Sequence, residues 1–298
     1  MIGTVYLHPE RTIVARWNIE DVPVLVGIDF FEPLQWHAPQ PSLLSQLSAS
    51  TAQCLSVRVA VPTSALAVHR FPTVATEANP EQSQFEIERV TASLQFAANS
   101  VLELPLPLSR FGYPHHALVF IPAAVTSAIE ALTHVLPLER ATVATAAVAA
   151  SVAQLRHHNV ERTIVIGRQR DRWEAFVVTP NGQIATWLDQ PLDEGIDDVT
   201  LLFDMATSAA STIDVAIEHV VVFGDGITKT MVDDVQRRFI PSGCSVSRLQ
   251  PFGSVRAALT SDDQAMLLRI AHVVSPIVGL LFLSSSTLDI PCALPAEH

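Results

Sequence analysis

TIVIGRQRDRWEAFVVTPNGQIATW, residues 163–187, reads as three short strands in succession. Thr163–Gly167, Arg172–Thr179 and Gln183–Trp187 are β-branched and aromatic runs, the composition that suits a pleated, half-buried surface. Pro180-Asn181-Gly182 joins the last two, and Asn-Gly supplies the positive φ angles of a tight hairpin. Beyond them a helix is predicted over Asp198–Ile213, then a buried-looking strand at His219–Phe223 that ends in Gly224-Asp225-Gly226. Thr228–Phe239 has the spacing of an amphipathic helix with a basic C-terminal end. Ser245–Leu249 adds a short strand and Ser261–Leu283 a long apolar helix or helix pair.

The first half follows the same grammar. Thr4–Leu7, Thr12–Trp17 and Val22–Ile28 alternate as an antiparallel meander. Pro33–Pro41 breaks the chain, and Pro41–Ser50 is predicted as a short helix capped by Ser42. Strands follow at Leu55–Val61 and Ala67–Phe71, each stopped by a proline. Glu81–Ser100 has helical spacing, with Ile87, Val90, Leu94 and Ala97 near one face, and Leu102–Leu108 reads as an edge segment or loop. Ala117–Ile121 is an apolar strand, Pro122 opens a helix over Ala123–Val135, and Ala141–Gln154 is a helix or a short strand running into one. Each half therefore opens with a β-meander and continues with alternating strands and helices. This duplicates an architecture without repeating a sequence. The fold class is α/β with two lobes, 1–158 and 159–298.

Composition narrows the function. The 298 residues are 49% hydrophobic and 16% charged, enough apolar material for a substantial core and too little charge for disorder. Net charge is −12, Lys229 is the sole lysine, and no Lys or Arg lies between Arg172 and Lys229. Nucleic acid, which requires a basic stripe, is not an expected partner, and neither is a polybasic membrane contact. No apolar run reaches the length of a membrane span, and MIGTVYLHPER lacks the pattern of a signal peptide. Cys54, Cys244 and Cys292 are widely spaced with no CxxC, which suits a reducing compartment without structural zinc. A cytoplasmic protein is expected.

Several segments, in order, resemble the actin-like ATPase fold. The specific likeness is to the type IV pilus assembly family PilM and the cytoplasmic domain of type II secretion L proteins. Val57-Arg58-Val59-Ala60-Val61-Pro62, then His69-Arg70-Phe71-Pro72, then Glu81–Arg89 are similar to those families' strand, short strand and acidic helix. Ala117–Pro122 with its helix, down to Leu136–Val143, is similar to the subdomain inserted in place of an actin subdomain, here about 61–140. Val220–Gly226 with Thr228–Phe239 resembles the adenosine-side strand, glycine turn and helix, and Ile277–Leu283 the closing helix. The resemblance implies a nucleotide site at Gly167, Gly224, Asp225, Gly226 and Lys229, with ATP and Mg²⁺ as its ligands where it is retained.

The phosphate-binding hairpins of that fold depart from its pattern here. Phosphate binding needs close backbone N–H groups, which glycine permits, and a carboxylate for the water shell of Mg²⁺. The first hairpin, Leu7-His8-Pro9-Glu10-Arg11, has neither glycine nor aspartate, and its proline removes a donor. The second, Ile166–Arg172, keeps Gly167, and its Asp171 lies among arginines in what reads as a solvated turn. The expected function is accordingly a non-catalytic scaffold with a degenerate nucleotide site and no cofactor. It would dock a protein partner in a pilus or secretion-type envelope machine. In the resembling families the tail of an inner-membrane protein binds beside the inserted subdomain, so Arg70, Phe71 and Pro72 are the candidate contact strand here. The alternative is an ATP-binding protein whose nucleotide state switches partner binding. A small-molecule kinase would need a base in the cleft, for which Asp29 is the early candidate.

Other chemistry finds little support in the sequence. The pairs His115-His116 and His157-His158 do not share a face and read as surface loops. Asp189, Asp193, Glu194, Asp197, Asp198 and Asp204 crowd the start of a predicted helix, where the dipole favours acids, and do not match a calcium loop. No GxSxG or SxxK pattern occurs, and Cys54 and Cys292 read as packing residues.

Overall fold

The computed structural model describes residues 1–72, 80–94, 96–106, 115–155, 162–169, 172–179, 181–191, 197–211, 216–284 and 286–291. The first meander is β1 (Ile2–His8), β2 (Arg11–Asn18) and β3 (Val24–Phe31). After α1 (Pro41–Thr51), strands β4 (Ser56–Val61) and β8 (Leu138–Val143) continue the sheet parallel to β1. Between β4 and β8 stand β5 (Ala67–Pro72), α2 (Pro80–Thr91), β6 (Ala98–Leu106), β7 (His115–Pro122) and α3 (Ala123–Thr133). The three strands among them form their own antiparallel sheet in the order β5-β7-β6. α4 (Ala144–Ala153) closes the first half.

The second half repeats this without an insertion. Its meander is β9 (Thr163–Gln169), β10 (Arg172–Val178) and β11 (Ile184–Pro191), followed by α5 (Asp198–Ala210) and β12 (His219–Gly224). Next come α6 (Lys229–Phe239), β13 (Ser245–Arg248), β14 (Arg256–Ala257), α7 (Ser261–Ile270) and α8 (Ser275–Phe282). The sheet orders are β14-β3-β2-β1-β4-β8 and β11-β10-β9-β12-β13. Apart from β14, each places the meander's first strand beside two parallel strands, which gives the two lobes one topology. β1, β9 and β10 are buried along nearly their whole length, as strands covered on both faces are.

The closing helices join the lobes. α4 is buried from Ala144 through Val152 between them, sharing a core with Val59 and Val61 of the first sheet and with Phe176, Val178 and Trp187 of the second. α8 packs instead against Tyr6, Ile13, Trp17 and Ala60 of the first sheet. A helix apolar all round belongs in such a doubly covered place. The two helices cross closely, since a Cβ on Gly279 would stand 1.6 Å from the carbonyl oxygen of Ala147. Arg58 and Arg140 cap the end of α8, donating to the carbonyls of Leu280 at 2.9 Å and Leu283 at 2.9 Å.

Several local expectations need correction. The helix predicted over Glu81–Ser100 stops at Thr91: Ser93 turns its hydroxyl back to the Val90 carbonyl at 2.7 Å, and Ala98–Ser100 pair with β7. Strand pairing there overrides helical spacing. Ser42 is not the cap of α1; Gln40 holds that position, with Pro41 inside the first turn. The edge reading of Leu102–Leu108 holds as far as Leu106, where β6 ends at the edge of its sheet, and residues 107 and 108 lie outside the described residues. Among the described residues no single helix is long and apolar enough to cross a membrane, and α7 and α8 meet at 93°.

Candidate functional site

Where the lobes face each other, the β1–β2 hairpin meets the turn after β12, which lies against Arg168 near the end of β9. In the first hairpin the Glu10 backbone N–H donates to His8 Nδ1 at 3.2 Å, which leaves the ring proton on Nε2. That nitrogen faces Asp225 Oδ2 across the cleft. His8 is only 4% exposed, and Tyr6 lies edge-on to its ring at 5.3 Å. Burial would raise the Asp225 carboxyl, but the hydrogen bond from His8 and the nearby Arg11 charge outweigh it and hold the group below the usual range.

Packing accounts for the glycines. Gly167 sits beside Phe223 in the β9–β12 pair, and a Cβ there would fall 2.3 Å from the Phe223 ring. Gly224 and Gly226 have φ of +97° and +70°. Cβ atoms on them would meet Arg168, at 2.0 Å from its carbonyl oxygen and 1.6 Å from Nη1 respectively. The Asp225 N–H donates to the Arg168 carbonyl at 3.2 Å and the Gly224 N–H to that of His272 at 2.9 Å. The Arg168 guanidinium also pairs with Asp198 at 3.1 Å and lies 5.8 Å from the Trp173 ring. Arg168 thus lies against the glycine turn. Lys229 is exposed at the first position of α6, whose cap is the Thr228 hydroxyl, accepting from the Met231 N–H at 3.1 Å. The structure therefore brings Gly167, Gly224, Asp225 and Gly226 together around Arg168, with Lys229 just beyond. Asp171 lies outside the described residues.

Sequence reasoning missed Glu174. It sits on β10, fully buried between the lobes, where residues of both reach its carboxyl. Its Oε2 accepts from Thr145 at 2.7 Å, Trp187 Nε1 at 3.2 Å and Thr63 at 3.3 Å, and its Oε1 from Gln169 Nε2 at 2.9 Å. Burial, reinforced by the Asp189 charge and opposed by the bonds from Thr145, Gln169 and Trp187, pushes its carboxyl up to about 7. The available signal was a lone acid inside the apolar run Trp173–Val178.

In the inserted sheet, β5 pairs with β7 alone among the described residues, so its other edge carries no strand. Arg70 is exposed, whereas Phe71 is buried against Val90, Leu118 and Phe120; Pro72 ends the strand. A cavity of about 670 Å³ opens where the first hairpin meets the segment leading to this sheet, lined by His8, Pro9, Leu34, Trp36, Pro62 and Ala65 among others. Asp29 has a structural account, accepting from Arg16 and, at 2.6 Å, from the Ser50 hydroxyl.

His115 and His116 lie in β7 rather than a surface loop, and His116 Nδ1 stands 2.6 Å from Glu103. β7 begins at His115, where the two histidines pair with Phe71 and Pro72 of β5 and with Pro105 and Leu106 of β6. Asp197 caps α5 by accepting from the Thr200 N–H at 3.0 Å, as the dipole reading expects. No cluster among the described residues could hold a metal ion. Cys54 and Cys244 are buried; His157, His158, Asp193, Glu194 and Cys292 lie outside the described residues.

No model of a protein family and no curated protein matches the sequence. Solved structures do. A chain of the PilM–PilN type IV pilus biogenesis complex aligns over 93% of this chain and 96% of its own length, with a TM-score of 0.63 at 13% identity. The cytoplasmic domain of EpsL, an inner membrane component of the type II secretion system of Vibrio cholerae, aligns over 80% and 94%, with a TM-score of 0.46 at 12% identity. A Bacteroides thetaiotaomicron protein with an actin-like ATPase fold aligns over 89% and 95%, with a TM-score of 0.49 at 9% identity. With its two lobes of one topology joined through their closing helices, the chain has an actin-like ATPase fold that resembles PilM.

Proposed function

We propose that this chain is a non-catalytic actin-like scaffold, with lobes 1–158 and 159–298, that acts by docking a protein partner. The observation that carries the reading is the state of the nucleotide cleft. Arg168 lies against the turn Gly224–Gly226, and His8 reaches across from the first hairpin to Asp225. Mg·ATP fits these residues poorly. Its phosphates need open backbone N–H groups, yet Pro9 has none, the Glu10 N–H is bonded to His8, and the Asp225 N–H is bonded to Arg168. The glycines that suggested a phosphate cradle are explained by Phe223 and Arg168.

What is left for function is surface. The edge of β5, which carries no strand among the described residues and includes Arg70, Phe71 and Pro72, suits strand addition by an extended segment. The net charge of −12 suits a partner with a basic segment. By the likeness to a PilM–PilN chain, the partner is the tail of an inner-membrane protein and the setting a pilus or secretion-type machine. The chain would then be cytoplasmic and held at the membrane through that partner. The test is affinity capture from membranes, then titration with the captured protein, whole and with its cytoplasmic tail deleted, against wild type and Arg70→Glu. Loss of binding on deleting the tail supports docking. Undiminished affinity without the tail overturns it.

A further inference from the structure

We propose that opening of the interlobe cleft is linked to deprotonation of Glu174, so that a bound proton favours the closed lobes and rising pH loosens them. Among the described residues no other Asp or Glu is buried. The carboxyl is held by both lobes. Thr63 lies in the turn after β4 of the first lobe, Thr145 in the first turn of α4, which spans the lobes, and Gln169 and Trp187 on strands flanking β10. The Gln169 carbonyl accepts from the Ser64 N–H at 2.8 Å, which fixes its amide so that the NH₂ faces Glu174. A second tie across the lobes therefore runs through the same group.

The threonine pair allows both protonation states. Thr63 and Thr145 hydroxyls stand 2.8 Å apart, and either can donate. With Glu174 ionised, Thr145 donates to Oε2, and the one Thr63 proton is shared between Oε2 and Thr145. With the proton on Oε2, Glu174 donates to Thr145, and Thr145 to Thr63. The reversal moves protons and leaves the heavy atoms in place.

The surroundings favour the neutral form only while the cleft is closed. Among the described residues, Tyr6 on β1 and Asp189 on β11, both acids, interact with Glu174; Asp189 is bonded to Arg172 at 3.1 Å and lies within electrostatic reach of Arg70. Residues 59–66, α4 and α8 contribute no charged side chain. Among the described residues, none of the groups bonded to the carboxyl is a cation. Separating Thr63 and Ser64 from β10 would admit water, and a hydrated carboxyl returns to the ordinary glutamate range. The closed form therefore binds the proton more tightly, and closure weakens as pH rises from that range through about 7.

Hydrogen exchange of the full chain reads this at the Ser64 amide, in peptides covering 62–66. After correction for intrinsic exchange, raising the pH from about 6 to about 8.5 should lower wild-type protection about tenfold. Glu174→Gln should show no such change. An identical pH course in both proteins overturns the proposal. Should Glu174→Gln fail to fold, titration of ¹³C-labelled glutamate carboxyls in the wild type decides. One carboxyl titrating near neutrality in the folded chain supports the linkage, and all of them in the ordinary range overturn it.

Discussion

Replacing Gly279 by alanine should destabilise the protein, opposite to the usual effect in a helix, where alanine is better than glycine by about 1 kcal/mol. The added Cβ would lie 1.6 Å from the Ala147 carbonyl oxygen and 2.4 Å from its carbon. Ordinary van der Waals contact would require α8 to retreat from α4 by roughly 1.8 Å, which forfeits much of the dispersion along the seam. The obstacle is backbone inside a helix buried on every side, so no rotamer change relieves it. Overpacking of this kind costs about 1–3 kcal/mol, occasionally more, and the rigid obstacle places Gly279→Ala near 3 kcal/mol, about the upper end of that range. Urea unfolding followed by tryptophan fluorescence measures it, with two other glycines as controls. Gly243 has φ of +72° with nothing within 4 Å of the new Cβ, so Gly243→Ala should cost about 1 kcal/mol of backbone strain alone. Gly253 has neither constraint, and Gly253→Ala should be nearly neutral. If Gly279→Ala proves as stable as wild type while Gly243→Ala behaves as stated, the close crossing that joins the lobes is wrong.

Three further outcomes follow from named contacts. Asp225 is held below the usual carboxyl range, so its contribution to stability is present above the unfolded value and lost as pH falls through the folded one. His8→Ala removes its hydrogen bond, and a ¹³C titration should show the Asp225 midpoint rising; an unmoved midpoint contradicts the His8 contact. Phe71→Ala should cost about 3–5 kcal/mol, with faster hydrogen exchange in β5, β7 and α2; a loss of protection spread equally through β9–β12 would show that the inserted sheet is not a separate packing unit. Arg58→Ala strips the α8 carbonyls of a half-buried charged donor and should cost about 2 kcal/mol. Glu139→Ala, which removes the half-exposed partner of Arg58, should cost less than about 1 kcal/mol, and equal losses in urea unfolding would refute the capping role.

The meanders were legible because hairpin turns and β-branched runs are local signals, and β9–β11 fall close to where Thr163–Trp187 placed them. Helix ends were less so, since pairing with β7 at Ala98–Leu106 decided where α2 could stop. The site was legible only as a set of glycines. Their purpose was not, because Arg168 reads as one of several arginines in a turn and only the fold lays it against Gly226. Glu174 was hidden for the same reason: its partners Thr145 and Thr63 are 29 and 111 residues away along the chain. The packing of α8 on the first sheet and of α4 between both was likewise invisible, as hydrophobic periodicity shows that a helix is buried and not against which sheet.

The most direct test of the scaffold reading is isothermal titration of the purified chain with Mg·ATP and Mg·ADP up to millimolar ligand, in parallel with Arg168→Ala. The account predicts no saturable heat for the wild type, because Arg168 and the His8–Asp225 contact hold the cleft. Saturable binding by the wild type in the micromolar range would contradict it and make the cleft a working nucleotide site.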